Sequence, residues 1–237
     1  MKNQGLYGTL LALSIIAMVA VDLIPGFYDK DFSWRPWAWG ATMALMIIAL
    51  ALIGKLMMDD WRGVLIDSRN VMSLSRLQLV VWSVLVISGI LAAGVINTVV
   101  NAANPLILNI PTEIWTALGI SGTSFIATPL ILGQKSGTIS SNPNPTPGRP
   151  GLWRWSDIFL GDVAQTNPGN SSASDDTTID FSKVQQFFFT VVVIAVYAIR
   201  LGFAFATQDR ITFPPIDAGF VTLLGISNAA YLIHKAS

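Results

Sequence analysis

The 237-residue chain contains no cysteine. That one absence excludes disulfides, iron–sulfur clusters, thiolate zinc sites, c-type haem attachment and cysteine nucleophiles. Histidine is nearly as scarce, with His234 the sole example. A bis-histidine haem site therefore cannot be built within one chain, and a histidine-based metal site would need carboxylates that the apolar segments lack. Charge is scarce as well: 12% of residues are charged, 14 basic and 14 acidic, for a net charge of zero. The basic residues are scattered among acidic ones rather than gathered in a stripe, so the electrostatic footprint that holds nucleic acid phosphates is missing. No serine motif resembles a nucleophile elbow, no glycine run resembles a phosphate-binding loop, and no pair of carboxylates shares an apolar face. The residues predict no enzyme, no cofactor, no metal and no nucleic acid partner.

What the chain does contain is apolar surface. Hydrophobic residues make up 52% and the mean hydropathy is +0.58, leaving too little polar surface to cover a soluble globule. Crossing the hydrocarbon takes roughly 20 apolar residues in a helix. Six stretches meet that expectation: 6–24, 37–57, 77–98, 114–132, 185–206 and 216–233. The first has no small-x-small cleavage site before Asp22 and is read as a retained helix. The expected fold is an all-α polytopic membrane protein of about six transmembrane helices.

Within it, one unit occurs twice. Ser75-Arg76-Leu77-Gln78 is followed, across a long apolar run, by Leu118-Gly119-Ile120-Ser121, and Ser182-Lys183-Val184-Gln185 is followed by Leu224-Gly225-Ile226-Ser227. The first serine and the glycine are 44 residues apart in one copy and 43 in the other, so the similarity extends over a whole helix pair. Each copy is preceded by a tryptophan-led apolar segment, residues 61–67 and 155–162, of the kind that lies at headgroup level. The expected organisation is an N-terminal hairpin (1–57), repeat 1 (58–133), a Pro/Gly/Ser-rich cytoplasmic linker (134–154) and repeat 2 (155–237). Repeat 2 carries an additional polar insertion over 165–178, and the two repeat hairpins are expected to run parallel.

Short basic loops stay in the cytoplasm. Lys2, Lys55, Arg62, Arg69, Arg76, Lys135, Arg149, Arg154, Lys183 and Lys235 fall on one side, ten in all, against Lys30, Arg35, Arg200 and Arg210 on the other. Both termini and the 134–184 loop are therefore expected in the cytoplasm.

Four polar features stand out. Ser75 with Gln78, and Ser182 with Gln185, have the spacing of a capping box, in which serine oxygen and glutamine side chain satisfy reciprocal backbone N–H groups. The alternative is that Gln78 and Gln185 line a polar path with Gln186. Small residues recur around the Leu-Gly-Ile-Ser elements and favour close helix packing in lipid. In the first copy Ser121, Ser124 and Thr128 also form a stripe that meets Pro129, which frees the Phe125 carbonyl. With Ser227 in the second copy, they make a candidate polar membrane face. Finally, Arg200 lies about two turns short of its expected helix end and is the candidate intramembrane charge, snorkelling outward or buried as a pair. Asp22, Glu113 and Asp217 fall near expected helix ends.

With both motif pairs in place, residues 55–236 resemble a group of uncharacterised bacterial multi-pass membrane proteins. In that group a Ser-Leu-Ser-Arg-Leu-Gln-type helix start and a Leu-Leu-Gly-Ile-Ser-type helix recur in tandem, carried here by Ser73 to Gln78 with Leu118 to Ser121 and by Ser182 to Gln185 with Leu223 to Ser227. The resemblance implies a bacterial inner or related internal membrane and carries over no catalytic or binding residue. The expected function is a non-catalytic membrane anchor or scaffold. Its expected partners are the lipid bilayer, further copies of the chain, or other subunits held through the 134–184 loop. A pore or small-solute transporter built on the duplicated hairpins is the alternative, and a helix-only subunit of a pigment or redox complex stands third.

Overall fold

The computed structural model describes residues 4–28, 32–67, 71–134, 154–160 and 179–236. Most of the expected linker, at 135–153, and the polar insertion, within 161–178, lie outside the described residues. Among the described residues the regular elements are helical: α1 (Gln4–Tyr28), α2 (Arg35–Met58), α3 (Leu74–Val99), α4 (Thr112–Gln134), α5 (Phe181–Thr207) and α6 (Ala218–Ala236). One-turn 3₁₀ segments lie at Phe32–Trp34, Gly63–Leu65 and Trp155–Ile158. The protein is all-α, as composition predicted.

Among the described residues four stretches are long and apolar enough to cross a membrane: Gln4–Pro25, Phe32–Met58, Leu74–Val99 and Phe181–Thr207. A shorter apolar stretch, Ala218–Ile233, lies in α6.

α3 is the hub. Half of its apolar span is buried, against 17–28% for the other three, because it packs on α1, α2, α4 and α5 at once. Its inward face carries Ser88, Gly89, Ala92 and Ala93, small residues that let neighbouring backbones approach. Trp82, Leu85, Val86 and Ile96 fill the space between them, against Val193, Tyr197, Leu201 and Phe205 of α5 and Ile114 and Ala117 of α4. Trp39 of α2 joins this core by stacking on Phe205, with ring centroids 5.1 Å apart.

α5 packs on α3, and α6 on both α4 and α5. Gln78 and Gln186, each near the start of its helix, touch one another. At the other end Asn97 of α3 reaches Ile211, just past the end of α5. α3 and α5 are therefore parallel. By the same logic α4 and α6 are parallel, since Ile120 lies beside Gly225 and, one turn on, Ser124 meets Asn228.

The two tryptophan-led segments are built alike. In the first, a 3₁₀ turn over Gly63–Leu65 leads to an isolated antiparallel bridge, Ile66 with Met72, and Ser73 N–H donates to the Leu65 carbonyl at 2.9 Å. In the second, a turn over Trp155–Ile158 leads to a bridge between Leu160 and Ile179, and Asp180 N–H donates to the Phe159 carbonyl at 2.9 Å. Leu65, Ile66, Met72 and Leu74 of the first pack against Ile158 and Phe159 of the second, while Trp61 and Trp155 stay exposed.

These turns also correct the cap assignment. α3 begins at Leu74 with Ser73 as N-cap, and α5 begins at Phe181 with Asp180 as N-cap. Ser75 and Ser182 are therefore second helical residues, and Gln78 and Gln185 lie two positions beyond the one from which a side chain returns to the cap. The Asp180 carboxylate takes the Ser182 and Lys183 N–H groups, whereas Ser75 shares its hydroxyl with Ser73 at 2.9 Å.

Contact between the first foot and α2 is backbone on backbone. A Cβ on Gly63 would lie 2.8 Å from the Gly54 carbonyl oxygen, and one on Gly54 would lie 2.8 Å from Gly63 N. Beside it Asp60 accepts from Arg62 N–H at 2.8 Å and from the guanidinium at 3.1 and 3.2 Å. The Arg62 hydrogen bonds hold the Asp60 carboxyl below the usual aspartate range. Gly63→Ala is expected to cost about 1–3 kcal/mol by overpacking, measured as a lower melting temperature in detergent, with the outward-facing Gly5→Ala as the silent control. The Asp60 contribution is present above the ordinary value of about 3.9 and is lost as pH falls through the lower folded value. Arg62→Lys, which keeps the charge and loses the fork, should therefore destabilise by at most about 1 kcal/mol at neutral pH. The difference from the unmodified protein should vanish on acidification below the aspartate range.

Candidate functional site

Among the described residues, buried polar side chains within the apolar helices stand out, and their partners decide what they do. Gln186 and Thr190 lie one turn apart on α5, so both face α3. There Gln78 donates from Nε2 to Thr190 Oγ1 at 2.6 Å and accepts from Gln186 Nε2 at 3.0 Å. Thr190 also donates to the Gln186 carbonyl at 2.8 Å. All three side chains are buried, and Gln186 Oε1 has no partner. Gln78 is thus part of a buried α3–α5 contact rather than a cap. Gln185 is exposed and takes no part.

A second contact joins α4 to α6. Ser124 donates to Asn228 Oδ1, and Asn228 Nδ2 donates to the Ile120 carbonyl at 3.1 Å. Ser121 turns back on its own helix, donating to the Ala117 carbonyl at 3.1 Å. Ser227 is buried with its hydroxyl unpartnered. Of the three serines, Ser124 makes the contact between α4 and α6, while Ser121 and Ser227 are buried on their own helices. The side chains of Thr128, Pro129 and His234 lie outside the described residues.

Between α1 and α2, Thr42 donates to Asp22 Oδ2 at 2.9 Å. Both side chains are wholly buried, and Asp22 Oδ1 has no partner. Thr42 lies seven residues into α2, about 10 Å from its start at 1.5 Å per residue. Asp22 is thus an interior carboxyl rather than a helix-end one. α1 runs on to Tyr28, beyond the expected boundary at 24, and carries it inside. Arg200 is the opposite case: its side chain is exposed on α5 rather than buried.

At the end of the bundle away from the feet, the loops are stapled together. Asn97 donates to the Ile211 carbonyl at 2.9 Å and accepts Ile211 N–H at 2.8 Å, while Phe213 N–H meets the Leu108 carbonyl at 2.9 Å. Tyr197 donates to the Pro214 carbonyl at 3.1 Å. Arg35 is buried, donates to the Gln208 carbonyl at 2.8 Å and lies 3.7 Å over the Phe32 ring. Residue spacing flagged none of these, nor Asn228 and Thr42. Asn97 and Asn228 had a legible signal, because an amide in an apolar helix must find a partner.

The comparisons with known proteins found no matching family model, no similar curated protein and no similar solved structure. In a double-mutant cycle, Gln78→Leu and Thr190→Val should couple by roughly 0.6–1.7 kcal/mol, the range for interhelical hydrogen bonds in membrane proteins. Unfolding in mixed micelles measures it. Pairing Gln185→Leu with Thr190→Val should give no coupling.

Proposed function

We propose that the chain is a non-catalytic integral membrane scaffold, an anchor subunit of a larger or homo-oligomeric assembly in a bacterial inner or related internal membrane. One observation carries this reading: among the described residues, polar groups of the apolar helices pair with one another at different helix interfaces. Gln78 with Gln186 and Thr190, Ser124 with Asn228, and Asp22 with Thr42 are such sets. Polar groups so used hold helices together rather than conduct. On this reading α4 and α6 complete a six-helix body, packed on each other. Both termini face the cytoplasm, and the two hairpins are copies of one ancestral unit. The 134–184 loop on the same side is the handle for a protein partner.

The reading predicts stable association. Gently solubilised protein from native membranes should migrate as an oligomer or bring a defined partner with it. A monomer that captures nothing sinks the proposal. The pore or transporter reading draws on Asp22, an ionisable group inside the membrane with an unpartnered oxygen, which is where transport chemistry is usually found. Liposome flux decides: the scaffold reading expects none for protons or common ions. A flux abolished by Asp22→Asn would put the transporter in its place.

A further inference from the structure

Between α2 and the α3–α5 pair the bundle leaves a crevice of about 310 Å³. Ile47 and Ala51 of α2, Leu77 and Val81 of α3 and Ile194 of α5 represent its walls, which are apolar throughout, and Trp61 and Arg62 stand at the foot. Along α3 the lining runs from Leu77 to Leu85, about 12 Å at 1.5 Å per residue. Its inner end is shut. One turn beyond the lining, Trp39 stacks on Phe205 and donates to Ser88 Oγ at 3.1 Å. The opening is therefore lateral and toward the foot, where Trp61 is half exposed.

All three helices are of membrane-spanning length and apolarity, so the crevice lies at hydrocarbon depth. An unfilled space there forfeits dispersion contacts along every wall, and water needs several polar partners that apolar walls do not supply. What that depth offers is acyl chain. At the mouth, the Arg62 guanidinium is ion-paired with Asp60 at 3.1 Å and feels Asp157 as well, so the protein presents both signs rather than a bare cation. A headgroup carrying both signs complements it better than an anionic one.

We propose that this crevice holds one acyl chain of a zwitterionic phospholipid, with its headgroup beside Trp61 and the Arg62–Asp60 pair. The inference rests on the membrane reading and adds a specific ligand to it. Native mass spectrometry of protein extracted in mild detergent should find a single phospholipid retained through washing. Val81→Trp and Ile194→Trp, which push an indole into the space, should each lose it, while Ile16→Trp on the exposed face of α1 should keep it. As a second measurement on the unmodified chain, adding a zwitterionic phospholipid to delipidated protein should raise its melting temperature. An anionic lipid with the same chains should raise it less. No retained lipid, retention in both filled variants, or a larger rise with the anionic lipid overturns the proposal. Release of the protein from membranes by alkaline wash alone would instead overturn the membrane reading, so the two failures are distinguishable.

Discussion

In an apolar bundle a polar side chain has no solvent to fall back on, so each one dictates which surface must lie against it. Here that constraint centres on α3. Gln78 near its start, Ser88 in its middle and Asn97 near its end commit it to α5, to α2 and to the loop beyond α5 respectively. The small residues Gly89, Ala92 and Ala93 between those points allow the close approach that the hydrogen bonds need. Removing α3 from this picture would leave no helix in simultaneous contact with the N-terminal hairpin and both later ones.

The class of fold was legible because it depends on sums. Long apolar runs and scarce charge are properties of whole segments, and four of the six expected spans meet the length and composition criterion. The other two, α4 and α6, lie against one another through Ser124 with Asn228 and through Gly225 beside Ile120, the kind of close contact that small residues allow. Boundary errors had larger effects. Placing the start of α3 two residues late made Gln78 look like a cap partner, and stopping α1 at residue 24 made Asp22 look peripheral. One helical residue is a rotation of about 100°, so a small shift in register changes which face a side chain occupies.

Ser124 stood out from its spacing, whereas its partner Asn228 did not, and neither did Thr190. The difference is physical. Ser121 and Ser124 advertise themselves by recurring on one helix, but a bond between helices pairs residues more than a hundred positions apart, and no periodicity links them. The equivalence of the two motifs even misled at this point: it pairs Gln78 with Gln185, while the contact uses Gln186, because parallel neighbours meet through facing sides rather than through matching ones.

Asn97 deserves a last consideration as a piece of chain inheritance. Its carboxamide offers one donor and one acceptor to the peptide unit of Ile211, doing for that residue what a neighbouring strand would do. The first hairpin thereby completes the backbone of the second. Severed from each other, one half would keep an amide with nothing to read and the other a bare peptide group at a buried position. Each half thus supplies the polar partner that the other's buried group needs.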